Sequence, residues 1–277
     1  MAQINTGFSP ISKLILYLCS MISKARMKFV RALEHKKARR QEGLFVAEGP
    51  KVVGDLLTRF RPHMLIATPE WLHAHRHDAH AWQGAELCDV TEDELRKASF
   101  LQHPQQVIGV FPMPEPAAET ADCPPTHELC LALDGVQDPG NLGTIIRMAD
   151  WFGIEHIYCS EETADAYNPK AVQATMGSIA RVELCYTDLP AFIGRLPADC
   201  PVYGTLLDGA DIYREPLSPT GLIVMGNEGN GISPAVRQLV TRRLLIPNYP
   251  PTRETADSLN VAIATALVCG EFRRRCP

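Results

Sequence analysis

Apolar residues fall along this chain in two alternating patterns. Short continuous apolar runs end at turn formers, and between them apolar positions recur every three or four residues. The second half shows this best. Residues 129–133 (LCLAL) predict a buried strand. A helix over 141–152 follows, with Leu142, Ile145, Ile146, Ala149 and Phe152 on one side and Gly153 as its stop. Further strands are predicted at 156–159, 181–185, 202–206, 222–225 and 244–246, and helices near 169–176, 189–196, 234–240 and 258–273. Ser233 before Pro234 reads as an N-cap with proline at the first helical position. Strands apolar throughout and alternating with helices imply an α/β fold, a mostly parallel sheet covered on both faces.

The first half alternates as well. A basic helix over 24–37 precedes a strand at 44–47, and Pro50 opens a helix to about 60. A strand at 64–68, a helix, a strand at 85–90, a helix at 92–99 and a strand at 106–111 complete a small α/β domain. Between the halves, residues 111–127 (FPMPEPAAETADCPPTH) hold five prolines and no apolar periodicity, which is a linker signature. The expected division is an N-terminal extension at 1–26, a first domain at 27–112, a linker at 113–126 and a second domain at 127–277. Within the extension, 11–22 is apolar, but a membrane-spanning helix needs about 20 residues and no small-x-small cleavage site follows. No membrane partner is expected, and Met21 and Met27 are candidate initiators.

Composition adds limits. The chain has 277 residues, 45% hydrophobic and 21% charged, which excludes a largely disordered protein. Nine scattered cysteines without a C-x-x-C pair read as reduced thiols in the cytoplasm. His73, His75, His77 and His80 sit on the middle helix of the first domain. His73 and His77 are spaced to share a face, but no third ligand and no H-E-x-x-H pattern accompanies them, so no metal is expected. Net charge is −5, which weighs against nucleic-acid binding by bulk electrostatics. Its distribution reverses that. Residues 24–40 carry eight basic side chains against Glu34 alone. Lys28, Arg31, Lys36, Lys37, Arg39 and Arg40 are the candidate phosphate contacts; the competing reading is a solvated helix face.

Ligands of open α/β sheets bind beyond the carboxyl ends of strands. Three segments lie there. In 134–147 (DGVQDPGNLGTIIR), Asp138-Pro139-Gly140 turns the chain, Asn141 can cap the helix, and Arg147 follows within it. In 225–231 (MGNEGNG), three glycines let backbone groups approach a ligand, yet the motif is neither a P-loop nor a dinucleotide fingerprint. In 245–261 (LIPNYPPTRETADSLNV), a strand ends at Pro247 and a helix begins near Ser258-Leu259-Asn260; Ser258 reads alone as an N-cap and Asn260 as a first-turn residue.

Taken in order, these segments resemble the TrmH/SpoU branch of the SPOUT methyltransferases over about residues 128–272. Residues 28–57 resemble the substrate-binding domain attached to many members, a ribosomal-protein-like α/β fold that grips RNA. The resemblance implies a trefoil-knotted C-terminal domain, a homodimer with active sites near its interface, S-adenosyl-L-methionine as cofactor, and methylation of a ribose 2′-hydroxyl, in ribosomal before transfer RNA. It assigns Asn141, Arg147, Glu228, Ser258 and Asn260 to the reaction centre. Gly226, Ile246 and Leu259, with the neighbouring Met225 and Asn227, are assigned to the cofactor, mainly through backbone groups. Arg147 is the family's candidate for activating the hydroxyl. Because guanidinium pKa values exceed about 12, positioning the hydroxyl and stabilising developing alkoxide suit it better than acting as a base.

One departure concerns the ten residues 248–257, which hold Pro250, Pro251, Arg253 and Glu254 where many relatives have a shorter glycine-containing link. The competing functions are a catalytically inactive RNA-binding paralogue and a nucleotide-dependent oxidoreductase. All five polar site residues are present, which argues against the first. The second needs an early G-x-G-x-x-G that is missing.

Overall fold

The computed structural model describes residues 22–114, 124–250, 253, 256 and 258–275. Residues 1–21, which include most of the apolar 11–22 stretch, and most of the proline-rich linker lie outside that set. The chain forms two compact units that divide between Met113 and Pro114. Among the described residues no helix is long and apolar enough to cross a membrane.

The first unit runs α1 (Lys24–Ala32), α2 (Lys36–Glu42), β1 (Leu44–Glu48), α3 (Pro50–Leu57), β2 (Met64–Ala67), α4 (Pro69–Ala74), β3 (Glu86–Asp89), α5 (Glu92–Ala98) and β4 (Val107–Pro112). Its sheet has four strands in the order β1-β4-β2-β3; β4 is antiparallel to both neighbours and β2–β3 is parallel. Residues 22–26, assigned above to an extension, are built into this unit. Ile22 is buried in its core, and the Ser23 hydroxyl accepts the Arg26 N–H at the start of α1.

The single basic helix expected over 24–37 is two helices. The turn between them is set by tertiary demand. Leu33 is fully buried, and the Arg39 guanidinium donates to the carbonyls of Leu33 and Glu34 at 2.8 and 2.7 Å. Those carbonyls lose their helical donors where α1 ends, so Arg39 supplies the missing partners. The histidine tract is also divided. α4 stops at Ala74 and a 3-10 turn covers Arg76–Trp82, so His73 and His77 share no helix face; Arg76 reaches both rings instead.

The second unit runs β5 (Leu129–Asp134), α6 (Pro139–Trp151), β6 (His156–Cys159), α7 (Pro169–Ala174), β7 (Glu183–Tyr186), α8 (Leu189–Gly194), β8 (Val202–Asp211), β9 (Gly221–Gly226), α9 (Pro234–Arg237), β10 (Arg242–Leu245) and α10 (Val261–Arg275). Its sheet has six strands, all parallel, in the order β10-β8-β9-β5-β6-β7. Cys130 and Ala132 of β5 join Leu222, Val224, Leu189, Ile193 and Val236 in a core beneath α8 and α9. The intervening Leu129, Leu131 and Leu133 are buried on the opposite face. α6 packs against α7 and α10. A methyl on Gly143 would overlap the Ala171 carbonyl and the Ala174 side chain, so glycine sets how closely α6 and α7 approach.

Strand order reverses at β5. The chain proceeds outward through β6 and β7, then returns to build β8 and β9 on β5's other side. The carboxyl ends of β5 and β9 therefore flank a switch point, where open parallel sheets present a crevice.

Candidate active site

Asp134 ends β5, is 8% exposed, and accepts the Ser233 backbone N–H at 2.7 Å. It thereby anchors the exit of the loop that leaves β9. That loop folds back tightly. Asn227 and Gly231 exchange backbone hydrogen bonds, each 2.9 Å. The Asn227 side chain holds the rest: its amide donates to the Gly135 carbonyl at 2.7 Å, and its Oδ1 accepts the N–H groups of Gly229 and Asn230 at 2.9 and 3.0 Å. A methyl on Gly226 would overlap the Gly231 carbonyl carbon and the Ile232 nitrogen, so the fold-back requires glycine there.

Within this frame three of the predicted polar residues meet. Asn141 donates from Nδ2 to Glu228 Oε1 at 2.7 Å, and its Oδ1 accepts Asn260 Nδ2 at 3.1 Å. One asparagine amide thus ties the β5–α6 turn, the β9 loop and the entry to α10. The last of these links lies far from where the chain leaves the sheet. β10 is the outermost strand, yet the chain returns from it to the switch point, and α10 lies along α6, where Arg273 donates to the carbonyls of Phe152 and Gly153 at 2.6 and 2.8 Å.

The capping roles read from the sequence need correction. Asp138, not Asn141, is the N-cap residue of α6. Its carboxylate instead pairs with Lys170 at 2.7 Å, and that pairing holds it below the usual carboxylate range. Asn260, not Ser258, begins α10: its Oδ1 accepts the N–H groups of Ala262 and Ile263 at 3.0 and 3.3 Å. Its side chain is therefore fixed at both ends, Oδ1 by the helix and Nδ2 by Asn141. Ser258 is exposed at the approach to the helix.

Arg147 stands apart. It is exposed and has no hydrogen bond or ion pair among the described residues. Six residues beyond Asn141, it lies about 9 Å further along α6 and about 120° around it. One copy of the chain therefore groups Asn141, Glu228 and Asn260 but not Arg147.

The cofactor candidates divide similarly. Met225 is 1% exposed and the Asn227 side chain is consumed within the loop, so both can serve a ligand through backbone groups alone. Ile246 is half-buried at the end of β10, and Leu259 is 49% exposed. Of 248–257, the described residues include Tyr249, 88% exposed, and Asn248, which donates to the Arg253 carbonyl at 3.1 Å; Pro251 and Glu254 lie outside them. Sequence reasoning missed the anchoring role of Asp134. Its only signal was an acid closing an otherwise apolar strand.

In the first unit, Lys28, Lys36, Lys37 and Arg40 are exposed. Arg31 is exposed but engaged, donating to the Ser99 carbonyl and lying 5.0 Å over the Phe100 ring. Arg39 is a correction: at 1% exposure it caps α1 and cannot reach a phosphate. Beneath Arg31, Glu48 accepts the Ser99 hydroxyl and the Phe100 N–H, and burial pushes its carboxyl up.

Residues 128–270 match the SpoU rRNA Methylase family, and 24–109 match the MRM3-like substrate binding domain. The chain is 31% identical over 252 residues to the 23S rRNA (guanosine(2553)-2′-O)-methyltransferase RlmP of Bacillus subtilis, covering 90% of this chain and 96% of that protein. Among solved structures, a TrmH-family protein from Porphyromonas gingivalis superposes with a TM-score of 0.78 at 39% identity, covering 92% of this chain and 99% of that one. An AdoMet-bound rRNA methyltransferase from Sinorhizobium meliloti gives 0.81 at 31% identity, covering 93% and 98%. With a family match over more than half its length and a site whose polar residues converge at the switch point of a parallel sheet, this chain belongs to the SpoU rRNA methylase family.

Proposed function

We propose that this protein transfers the methyl group of S-adenosyl-L-methionine to a ribose 2′-hydroxyl of RNA, ribosomal RNA before transfer RNA. The observation that carries this reading is the Asn141–Glu228–Asn260 chain of hydrogen bonds, which joins three segments distant in sequence at one switch point. When bound, the cofactor supplies an electrophilic sulfonium methyl. The residues that would hold it are Gly226, Ile246 and Leu259, together with the Met225 and Asn227 backbone. The fit rests on the tight fold-back at Gly226, which sets the Met225 and Asn227 backbone at the carboxyl end of β9, and on a half-exposed Leu259 that offers apolar surface.

The remaining chemistry is alignment and proton management. Asn141, Glu228 and Asn260 hold the ribose in place, with Ser258 close by. Arg147 donates to the hydroxyl or an adjacent phosphate and stabilises alkoxide as it develops. Because Arg147 faces away from this cluster within one copy, a homodimer is part of the proposal. Trp151 shares a face of α6 with Arg147 and is 83% exposed, and Ile263 and Leu267 of α10 are 55% and 42% exposed. The return of the chain from β10 to Asn141 supports the trefoil knot that the resemblance implies. Lys28, Lys36, Lys37 and Arg40 are the proposed phosphate contacts, with Arg31 beside them, and the compartment is the cytoplasm.

Mapping 2′-O-methylation in total RNA from a deletion strain tests the reading: one site should disappear and return with the wild-type gene. Arg147→Ala should bind the cofactor within a few-fold of wild type, by isothermal titration, yet show no single-turnover methylation. A wild-type protein that binds no S-adenosylmethionine would instead mark an inactive RNA-binding paralogue.

A further inference from the structure

The opposite edge of the second sheet carries a cluster that methyl transfer does not use. β5 and β6 pair in parallel with Leu131 beside Ile157, and β6 pairs with β7 with His156 beside Glu183. One step earlier on β5 and β6, Cys130 and His156 therefore fall in one row with Glu183. Glu128, two residues before Cys130, points to the same face. The ligand atoms of Glu128, Cys130 and His156 all lie within 4.8 Å of one another. His156 Nδ1 contacts Glu128 Oε1, and Cys130 Sγ lies 3.5 Å from that same oxygen. The other ring nitrogen, Nε2, lies 3.4 Å from Glu183 Oε2.

We propose that Glu128, Cys130 and His156 form a site for a divalent zinc-class ion at the amino edge of β5 and β6, with Glu183 as the outer carboxylate that orients His156. Three observations carry it. The first is spacing. Bond lengths of about 2.3 Å to sulfur and about 2.0 Å to oxygen at a tetrahedral angle put the two donors about 3.5 Å apart. The Cys130–Glu128 separation already has that value, and the direct His156–Glu128 hydrogen bond opens to about 3.3 Å when the ion enters between them. The second is chemistry. Thiol, imidazole and carboxylate together suit zinc, whereas magnesium and calcium sites are built from oxygens. The third is the outer shell. Metal-bound histidines commonly give their second ring nitrogen to a carboxylate, and Glu183 stands at that nitrogen.

The position also allows entry and gives binding a consequence. Cys130 is fully buried, while the Glu128 and His156 side chains are 30% and 27% exposed, so the cluster opens to solvent on one side. An ion there would clip β5 to β6 at the edge remote from the switch point, stabilising the folded sheet by linkage. No local pattern signals it, because Cys130 and His156 stand 26 positions apart and only strand register brings them together.

The test uses the full chain, stripped with chelator and titrated with Zn²⁺ or Co²⁺ alone. One equivalent should bind. The cobalt complex should show a thiolate-to-metal charge-transfer band, lost in Cys130→Ser and His156→Ala. Zinc should raise the melting temperature of wild type and leave both variants unmoved. Glu183→Gln should weaken binding about 10–100-fold while keeping the band. Because Cys130 lies in the core, Glu128→Gln and His156→Ala, at part-exposed positions, serve as variants whose far-UV spectra and cooperative melts confirm folding. Failure of wild type to bind one equivalent, or equal binding by wild type and folded His156→Ala, overturns the proposal and leaves a hydrogen-bonded cluster.

Discussion

Replacing Asn141 by aspartate changes one atom and should disable the junction more than deleting the side chain does. Asn141 is the only bridge between Glu228 and Asn260 among the described residues, and the bridge needs an amide: Nδ2 gives a proton to a carboxylate while Oδ1 receives one. In Asn141→Ala both bonds vanish. The bond to the Glu228 carboxylate is of the class worth about 1.5–3 kcal/mol and the neutral one about 0.5–1.5 kcal/mol. Glu228 is part-exposed and Asn260 exposed, so water replaces much of both, leaving a net loss of about 1–2 kcal/mol. At about 2–4 °C per kcal/mol for a unit of this size, the melting temperature should fall about 2–8 °C. In Asn141→Asp the bond to Asn260 can persist, but a second carboxylate faces Glu228. Two charges at the present 2.7 Å repel by about 1.5 kcal/mol at the dielectric constant of water and about 6 kcal/mol at an effective value of 20. The side chains will swing apart, displacing the β9 loop from the α10 entry. The expected order at pH 7.5 is wild type, then Ala, then Asp, in both melting temperature and single-turnover methylation. An aspartate variant as stable and active as the alanine variant at pH 7.5 would refute the bridge.

Gly226→Ala forces the Gly231–Ile232 backbone away, at an overpacking cost of about 1–3 kcal/mol, and should weaken S-adenosylmethionine binding at least about tenfold by isothermal titration. The basic stripe separates into two roles: Lys36, Lys37 and Arg40 changed together to alanine should leave the melt unchanged but reduce the salt dependence of RNA binding by about two counterions. Arg39→Met should lower the melting temperature, because the Leu33 and Glu34 carbonyls lose their donor. Glu271 is held down to about 2 by Arg274 and Arg275, below its ordinary 4.5. A depressed carboxyl contributes stability above its unfolded value and loses it as pH falls from about 4.5 toward 2, so Glu271→Gln should flatten the acid limb of a stability–pH curve. Trp151→Asp tests the proposed homodimer: it should shift the chain toward monomer in sedimentation and reduce turnover without changing cofactor affinity.

Much of the fold was legible because it rests on periodicity. Continuous apolar strands separated by amphipathic helices can bury their surface only as a parallel sheet with helices on both faces, and that is what β5 to β10 form. Errors arose where tertiary contacts chose among local options of similar cost. Residues 24–42 are good helix formers throughout, and nothing local marks a break. The break exists because Leu33 must enter the core and Arg39 can satisfy the carbonyls that are released. Between Asp134 and Asn141 several side chains can cap a helix. The choice fell to Asp138 because the tie from Asn141 to Glu228 and Asn260 removes it from capping.

The same logic separates the legible part of the site from the rest. Asn141, Glu228 and Asn260 were identifiable individually by resemblance, but their mutual bonds depend on the path the chain takes from β10 back to α6, which no local pattern encodes. Arg147 is the instructive contrast. On the sequence it is the sixth residue after Asn141 and reads as its neighbour. On a helix that spacing turns it about 120° away, toward the face that also carries Trp151. An arginine that lacks a partner among the described residues, beside an exposed tryptophan, is what the proposed sharing of the site between two copies predicts. The feature that looked weakest as part of a single-chain site is thus the strongest internal argument for the proposed homodimer.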